Sequence, residues 1–230
     1  MRAILLAAGL GTRLRPMTIT IPKCLVSIHE KPLLQIWLEN LSHYGIGPFL
    51  VNTHNFQEQV EEFLKNNTFE DQVFLTHETE LLGTAGTLVK NLGFFQGEDG
   101  LLIHADNYCL ANFKDFIQVH RQRPANCVFT MMTFRTDNPS SCGIVELDER
   151  GVVIGFHEKV KTPPGNLANG AIYLLSTEFL KSLGSDYQDA SDFSTEIIHQ
   201  FIGRIFSYET EELFIDVGSP ESYHKANLTS

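Results

Sequence analysis

The stretch Ala3-Ile4-Leu5-Leu6-Ala7-Ala8-Gly9-Leu10-Gly11-Thr12-Arg13-Leu14-Arg15-Pro16 decides how this chain is read. Its first six residues are an uninterrupted apolar run, as expected of a strand buried on both faces of a parallel sheet. The sequence then switches abruptly to glycine and arginine. Gly9 and Gly11 let the backbone turn tightly and present N–H groups to an anion, while Arg13 and the nearby Lys23 bring positive charge to the same place. The loop therefore has the makings of a triphosphate cradle. It is not a Walker A loop, which ends in GK[ST], nor a GxGxxG loop, because Leu14 stands where the third glycine belongs.

Working outward, strand and helix patterns alternate. Apolar residues from Leu33 to Leu41 fall at helical spacing, with Tyr44-Gly45 as a stop signal. The spacing predicts strands at Pro48–Thr53, Gln72–Thr76, Gly100–Ala105 and Val128–Phe134, with helices at Gln57–Lys65, Thr84–Leu92 and Phe113–Arg121 between them. Such alternation implies parallel βαβ units. Beyond Asn138, strands at Gly143–Leu147, Val152–Glu158 and Ala171–Leu175 are joined by short turns, which suggests a β-rich insertion. Helices at Phe193–Ile202 and Glu221–Asn227 and short strands at Ile205–Tyr208 and Leu213–Ile215 follow. No linker or repeat divides the 230 residues. The expected fold is α/β, a Rossmann-like doubly wound mixed sheet in a single domain over 1–230, with the β-rich part at 138–185. Ligands of such sheets bind outside the carboxyl ends of the strands.

Composition narrows the function. A net charge of −11 argues against nucleic acid as a partner, because nonspecific polyanion binding needs a surplus of Lys and Arg. Cys24, Cys109, Cys127 and Cys142 form no CxxC pair, so reduced thiols in a cytoplasmic protein are expected. The apolar run after Met1 is too short, and too quickly followed by Arg13 and Arg15, for a secretory leader. No segment reaches the roughly 20 apolar residues that span a bilayer, so no membrane association is expected. The nine histidines are dispersed and form no metal motif, and His104 is given no role.

Two carboxylates stand out. Asp106, in His104-Ala-Asp-Asn, ends an apolar strand where a side chain projects into a crevice; Asp216, in Phe214-Ile-Asp-Val-Gly, follows another apolar stretch. Alone, each reads equally well as a turn or cap residue. Together, with triphosphate oxygens and water, they would complete an octahedral Mg²⁺ shell.

The string Gly9-Leu-Gly-Thr-Arg-Leu-Arg-Pro followed by Pro22-Lys23 resembles the signature of the sugar-phosphate nucleotidyltransferases, and the resemblance runs from Arg2 to about Asn227. It implies that Leu10, Gly11, Thr12 and Arg13 hold the phosphates of an NTP, that Lys23 orients them, and that Asp106 and Asp216 bind Mg²⁺. Arg13, Lys23 and Asp106 are thus the catalytic candidates. The family usually has glycine before the first metal aspartate, where this chain has Ala105. Leu81-Leu-Gly-Thr-Ala-Gly resembles the segment that packs on the nucleoside, which gives Gly83 and Thr84 to the nucleotide site; Glu78 is a candidate reader of the base edge, and Thr84 a candidate helix cap. Phe156-His-Glu-Lys and Asn169-Gly-Ala-Ile-Tyr resemble the sugar-binding segments, which implies sugar contacts from Gly143, Glu158, Lys159 and Asn169. Residues 1–135 would then be mainly nucleotide-binding and 138–185 sugar-binding.

The implied reaction joins a nucleoside monophosphate from an NTP to a sugar 1-phosphate, in a monomer or homodimer. The look is of guanylyltransferases for mannose-type or heptose 1-phosphates, with muramate-type uridylyltransferases as rivals. A noncatalytic nucleotide-sugar-binding protein is disfavoured because Arg13, Lys23 and both aspartates are present. A nicotinamide oxidoreductase fails on the loop motif. Little sequence follows Asp216, so the C-terminal β-helix of larger acetyltransferase-fused relatives is not expected.

Overall fold

A computed structural model describes Met1–Thr229. In chain order the strands and helices are β1 (Arg2–Leu6), β2 (Ser27–Ile28), β3 (Lys31–Pro32), α1 (Leu33–His43), β4 (Phe49–Thr53), α2 (Gln57–Lys65), β5 (Val73–His77) and α3 (Gly83–Lys90). They continue with β6 (Gly100–His104), β7 (Asn107–Cys109), α4 (Phe113–Arg121), β8 (Phe129–Arg135), β9 (Gly143–Leu147), β10 (Val153–Glu158), β11 (Leu167–Leu175) and α5 (Thr177–Asp186). The last elements are β12 (Ile205–Glu209), β13 (Phe214–Asp216) and α6 (Pro220–Leu228). The chain forms two compact units, one made of Met1–Leu81, Ile103–Ala111 and Glu212 onward, the other of Leu82–Leu102 and Asn112–Glu211.

In the first unit β1 pairs in parallel with β4 and β4 with β5, with Leu6 opposite Asn52 and Asn52 opposite Thr76. β1 and β4 are buried on both faces, with α1 burying Leu33, Leu34, Trp37, Leu38 and Leu41, while the edge strand β5 leaves Phe74 exposed. The indole of Trp37 donates to Asn107 O at 2.9 Å, which ties α1 to β7. A separate cluster of Leu14, Val26, Ile28, Leu33, Tyr108, Ile215, Val217 and Ala226 lies beneath the first loop. Leu14, at the place of the absent third glycine, is its fully buried anchor.

In the second unit β11 pairs antiparallel with β8 and β9, β9 antiparallel with β10, and β12 parallel with β8. The sheet is therefore mixed. Phe129, Tyr173, Phe179, Phe193 and Phe201 form its aromatic core, with ring centroids 4.8 Å apart for Phe129 and Phe179 and 4.6 Å for Tyr173 and Phe193.

Besides the two-residue strands β2 and β3, which the sequence reading lacks, three elements differ from it. Helix α5 was not anticipated within the β-rich part; Ser176 caps it by accepting from Phe179 N, and it buries Phe179, Leu180 and Leu183. The expected single helix over Phe193–Ile202 is a π-turn at Phe193–Ile197 followed by a 3-10 turn at Ile198–Phe201. Strand β7 is three residues long and exists only through its pairing with β13. All four cysteines are free, and no described helix is long and apolar enough to cross a membrane.

Candidate active site

The first unit gathers the phosphate-loop residues and both aspartates. Beyond β1, Gly9, Leu10, Thr12 and Arg13 are exposed while Leu14 is buried, so the loop is pinned at one apolar point and open elsewhere. Gly11 sits at φ +62, in the left-handed region, and a methyl group there would lie 2.9 Å from Thr18 Cγ2 and 3.3 Å from Lys23 Cβ. Both the angle and the space demand glycine. Thr18 Oγ1 donates to Gly11 O at 2.7 Å and closes the loop on itself. Gly9 has neither constraint, with open space where a side chain would be.

Lys23 is only 6% exposed, yet its Nζ lies 2.7 Å from Asp106 Oδ2. The β7–β13 register places Asp216 opposite Asn107, the residue after Asp106. Alternation along β13 sends Ile215 and Val217 into the apolar cluster and leaves Asp216 facing outward. Arg13 arrives from the loop: a methyl group at Gly218 would lie 3.0 Å from both Arg13 Nη2 and Asp216 Oδ1. Arg13, Lys23, Asp106 and Asp216 therefore form one cluster.

Its electrostatics are asymmetric. Burial pushes the Asp106 carboxyl up, but the attraction of Lys23 and His104, with the Lys23 hydrogen bond, outweighs it and leaves the group below its ordinary value. Side-chain surface remains open at Asp106, 38% of it, so the group is only in part shielded from water. Burial and the repulsion of Asp106 push Asp216 up, against the pull of Lys23, Arg13 and His104. At Asp216 burial and carboxylate repulsion outweigh the two nearby cations, so the paired carboxylates leave one oxygen group poorly compensated. Their oxygen chemistry fits a hard divalent ion such as Mg²⁺, whose remaining positions are normally filled by phosphate oxygens and water. Among the described residues no group of three or more His, Cys, Asp or Glu side chains is assembled for a metal.

Glu78 takes a different place from that of an open base reader. It is 2% exposed, and its Oε1 accepts from Asn52 Nδ2 at 2.9 Å.

In the second unit, α3 begins at Gly83 with Leu82 as its cap, so Thr84 is not the cap residue that the sequence suggested. Thr84 Oγ1 instead accepts from Phe193 N at 2.7 Å. The amides of Ala85 and Gly86 point to Ser191 O at 2.9 and 3.4 Å. A methyl group at Gly83 would meet that same carbonyl at 2.3 Å, so the protein's own backbone accounts for this glycine.

The sugar-side candidates lie on the β9–β10 hairpin and on β11. Glu158 is the register partner of Gly143, and a methyl group at Gly143 would come within 2.6 Å of Glu158 Oε2 and of the Phe156 ring. Lys159 is 63% exposed, pairs with Glu158 at 2.9 Å and sits at φ +49. A non-glycine residue held there stores on the order of 1–3 kcal/mol of strain. Asn169 Oδ1 accepts from Ala171 N at 2.9 Å, and its Nδ2 donates to Tyr173 Oη at 2.7 Å. It thereby braces the irregularity in β11 between Asn169 and Tyr173, where Ala171 adopts φ +52.

The profile of the family described as "Nucleotidyl transferase" matches residues 2–230. The chain belongs to this family. Among nucleotidyl transferase relatives, it is 31% identical over 233 residues to a "Probable mannose-1-phosphate guanylyltransferase 2" of Oryza sativa subsp. japonica, covering 97% of this chain and 63% of that protein. It is 26% identical to a "UTP--glucose-1-phosphate uridylyltransferase" of Synechocystis sp., covering 98% of this chain and 62% of that one. The chain thus spans somewhat less than two thirds of the length of these relatives. Among solved structures, HddC from Yersinia pseudotuberculosis complexed with GMP-PN matches with a TM-score of 0.82 at 27% identity, covering 99% of this chain and 98% of that chain.

Within this nucleotidyl transferase, the first unit brings Leu10, Gly11, Thr12 and Arg13 into one loop and Arg13, Lys23, Asp106 and Asp216 into one cluster. The second unit assembles Gly143 with Glu158 and Lys159. Sequence reasoning missed Asn52, Thr18 and Gly218, whose parts depend on register and loop closure and leave no local signal.

Proposed function

We propose that the protein transfers a nucleoside monophosphate from an NTP, GTP by preference, to a mannose- or heptose-type sugar 1-phosphate, releasing pyrophosphate. The observation that carries this reading is the convergence of Arg13, Lys23, Asp106 and Asp216 beside a loop whose backbone is shaped by Gly11 and Thr18. The mannose-1-phosphate guanylyltransferase relatives and the GMP-PN-bound structural neighbour support the choice of guanine.

The sugar-phosphate oxygen attacks the α-phosphorus in line. The bond from the α-phosphorus to the oxygen bridging to the β-phosphorus breaks, and pyrophosphate leaves with that oxygen. Both substrates are already ionised, so the protein must position them and neutralise charge rather than supply a base. Loop amides from Leu10 to Thr12 and the Arg13 guanidinium hold the triphosphate. Lys23 lies where its ammonium can turn from Asp106 to phosphate oxygens. Asp106 and Asp216 would hold Mg²⁺, which when bound supplies charge neutralisation between the phosphates. Gly83 and Thr84 are assigned to the nucleoside, and Gly143, Glu158, Lys159 and Asn169 to the sugar and its phosphate.

The uridylyltransferase relative keeps UTP with a hexose 1-phosphate as the second reading. A pyrophosphate-release assay crossing four NTPs with a panel of sugar 1-phosphates, with and without Mg²⁺, decides between them. Mg²⁺-dependent release with GTP and a mannose- or heptose-type phosphate is expected; release with no pair would end the enzymatic reading.

A further inference from the structure

Strand β1 leaves its parallel partner at Leu6, whose register neighbour is Asn52 on β4. The next two amides, of Ala7 and Ala8, lie past the ladder at the point where the chain peels away to form the phosphate loop. Asn52 takes them over: its Oδ1 accepts from Ala7 N at 2.7 Å and from Ala8 N at 3.3 Å. On the other side of the strand, Ala105 N donates to Leu6 O at 3.0 Å, one residue before Asp106. The exit of the loop is therefore clamped from both flanks, and one clamp is continuous with an aspartate of the cluster.

A side-chain amide holds backbone donors only while its oxygen faces them; rotated by half a turn it would set donor against donor. Glu78 removes that freedom. Its carboxylate accepts Asn52 Nδ2 at 2.9 Å, so a single amide orientation satisfies both neighbours. Glu78 is itself fixed, its N–H donating to Thr53 O at 2.8 Å and its carbonyl lying 2.7 Å from His54 Nδ1. Both side chains are almost fully enclosed, Asn52 at 3% and Glu78 at 2% exposure, so water cannot take over these bonds.

We infer that Glu78 and Asn52 form a buried relay that positions the phosphate loop, and that Glu78 acts on nucleotide through Asn52 and the Ala7–Ala8 amides rather than by reading the base edge. This rests on the reading of Gly9–Arg13 as a triphosphate-binding loop. Both are positioning residues. The relay is indifferent to the base, so disturbing it should weaken every ligand that carries the triphosphate by the same factor.

The test is titration calorimetry with GTP, UTP and inorganic tripolyphosphate, in Mg²⁺, on wild type, Asn52→Leu, Glu78→Leu, Asn52→Asp and the exchange variant Asn52→Asp with Glu78→Gln. Loss of one buried hydrogen bond corresponds to roughly a tenfold change in affinity, and both leucine variants should show about that loss for all three ligands. Asn52→Asp sets two carboxylates against each other and should also bind weakly. The exchange variant should recover, because Asp at 52 accepts from Ala7 and Ala8 while Gln at 78 donates to it. The leucine variants are checked for folding by circular dichroism; if they do not fold, recovery of the exchange variant over Asn52→Asp decides. Unchanged tripolyphosphate affinity with an altered GTP-to-UTP ratio in Glu78→Leu would overturn the relay in favour of base reading, and failure of the exchange variant to recover would overturn it as well. Wild-type protein that binds neither nucleotide nor tripolyphosphate overturns the phosphate-loop reading and the relay with it; wild type that binds no better than the variants overturns the relay alone.

Discussion

The phosphate loop and the β9–β10 hairpin hold their charges in opposite ways. In the first unit Lys23 is buried against Asp106, and the side chains that flank Asp216 anchor in an apolar cluster. In the second, Lys159 reaches out at 63% exposure from a left-handed backbone position, and its partner Glu158 lies over Gly143. The former holds its lysine out of water, Lys23 being 6% exposed and fixed against Asp106, and a charge placed before any ligand arrives is what stabilisation of a charged transition state draws on. The latter has an ion pair with its lysine in solvent, worth little by itself. On the proposed reading, chemistry falls to the cluster and substrate choice to the exposed hairpin.

The sharpest break of this contrast is substitution in the cluster. Asp106→Asn and Asp216→Asn should each lower Mg²⁺-dependent turnover by roughly 100-fold or more, measured as pyrophosphate release, while circular dichroism stays native. Full activity in either variant removes that residue from the metal pair.

A smaller effect follows from loop geometry. Gly11→Ala must place a methyl group 2.9 Å from Thr18 at φ +62, so it should lose about 1–3 kcal/mol in denaturant unfolding. Gly9→Ala meets open space and should unfold like wild type. Equal losses would show that the left-handed turn at Gly11 is not what shapes the loop.

On the exposed side, Lys159→Gly relieves the left-handed strain and deletes the charge. It should stabilise the protein by up to about 1 kcal/mol while raising KM for the sugar 1-phosphate and leaving KM for the NTP unchanged. A rise in both would blur the division between cluster and hairpin.

The smallest effect is in the pH dependence of stability. Asp216 titrates above its ordinary value, so its ionised form is disfavoured in the folded state, and the stability it allows is present at low pH and lost as pH rises through its folded pKa. Asp106 titrates below its ordinary value, so its contribution is present at neutral pH and lost as pH falls through the depressed value. Without metal at pH 7, Asp216→Asn should therefore melt slightly above wild type, the gain kept small because Asp216 is open to solvent. Asp106→Asn, which strands a buried Lys23, should melt below it. The gain from Asp216→Asn should vanish below the ordinary aspartate range, where the wild-type group is protonated as well.

Legibility in the sequence followed the range of the interactions. Helices α1, α2 and α4 were plain because their apolar stripes are local, and α2 has the predicted bounds Gln57–Lys65. Helix α5 had a usable signal in Ser176 and in Phe179, Leu180 and Leu183, but Ser182, Gly184 and Ser185 weaken its helical propensity and hid it among strands. Strand β7 could not be seen, since its partner β13 lies about a hundred residues away. The same rule governs the site. Arg13, Lys23, Asp106 and Asp216 stand in compact motifs, whereas Asn52 looks like any polar residue ending a buried strand until the register sets it beside Ala7. The two units also interleave along the chain, with Ile103–Ala111 returning to the first, which a linear division at about residue 135 does not convey.

The measurement that bears most directly on the central claim is product stoichiometry in Mg²⁺: GTP with mannose or heptose 1-phosphate, followed by chromatography for nucleotide sugar and pyrophosphate together. The two products should form in equal amounts, abolished by EDTA and by Asp106→Asn. Pyrophosphate formed without nucleotide sugar, or nucleotide sugar formed equally well by Asp106→Asn, would contradict it.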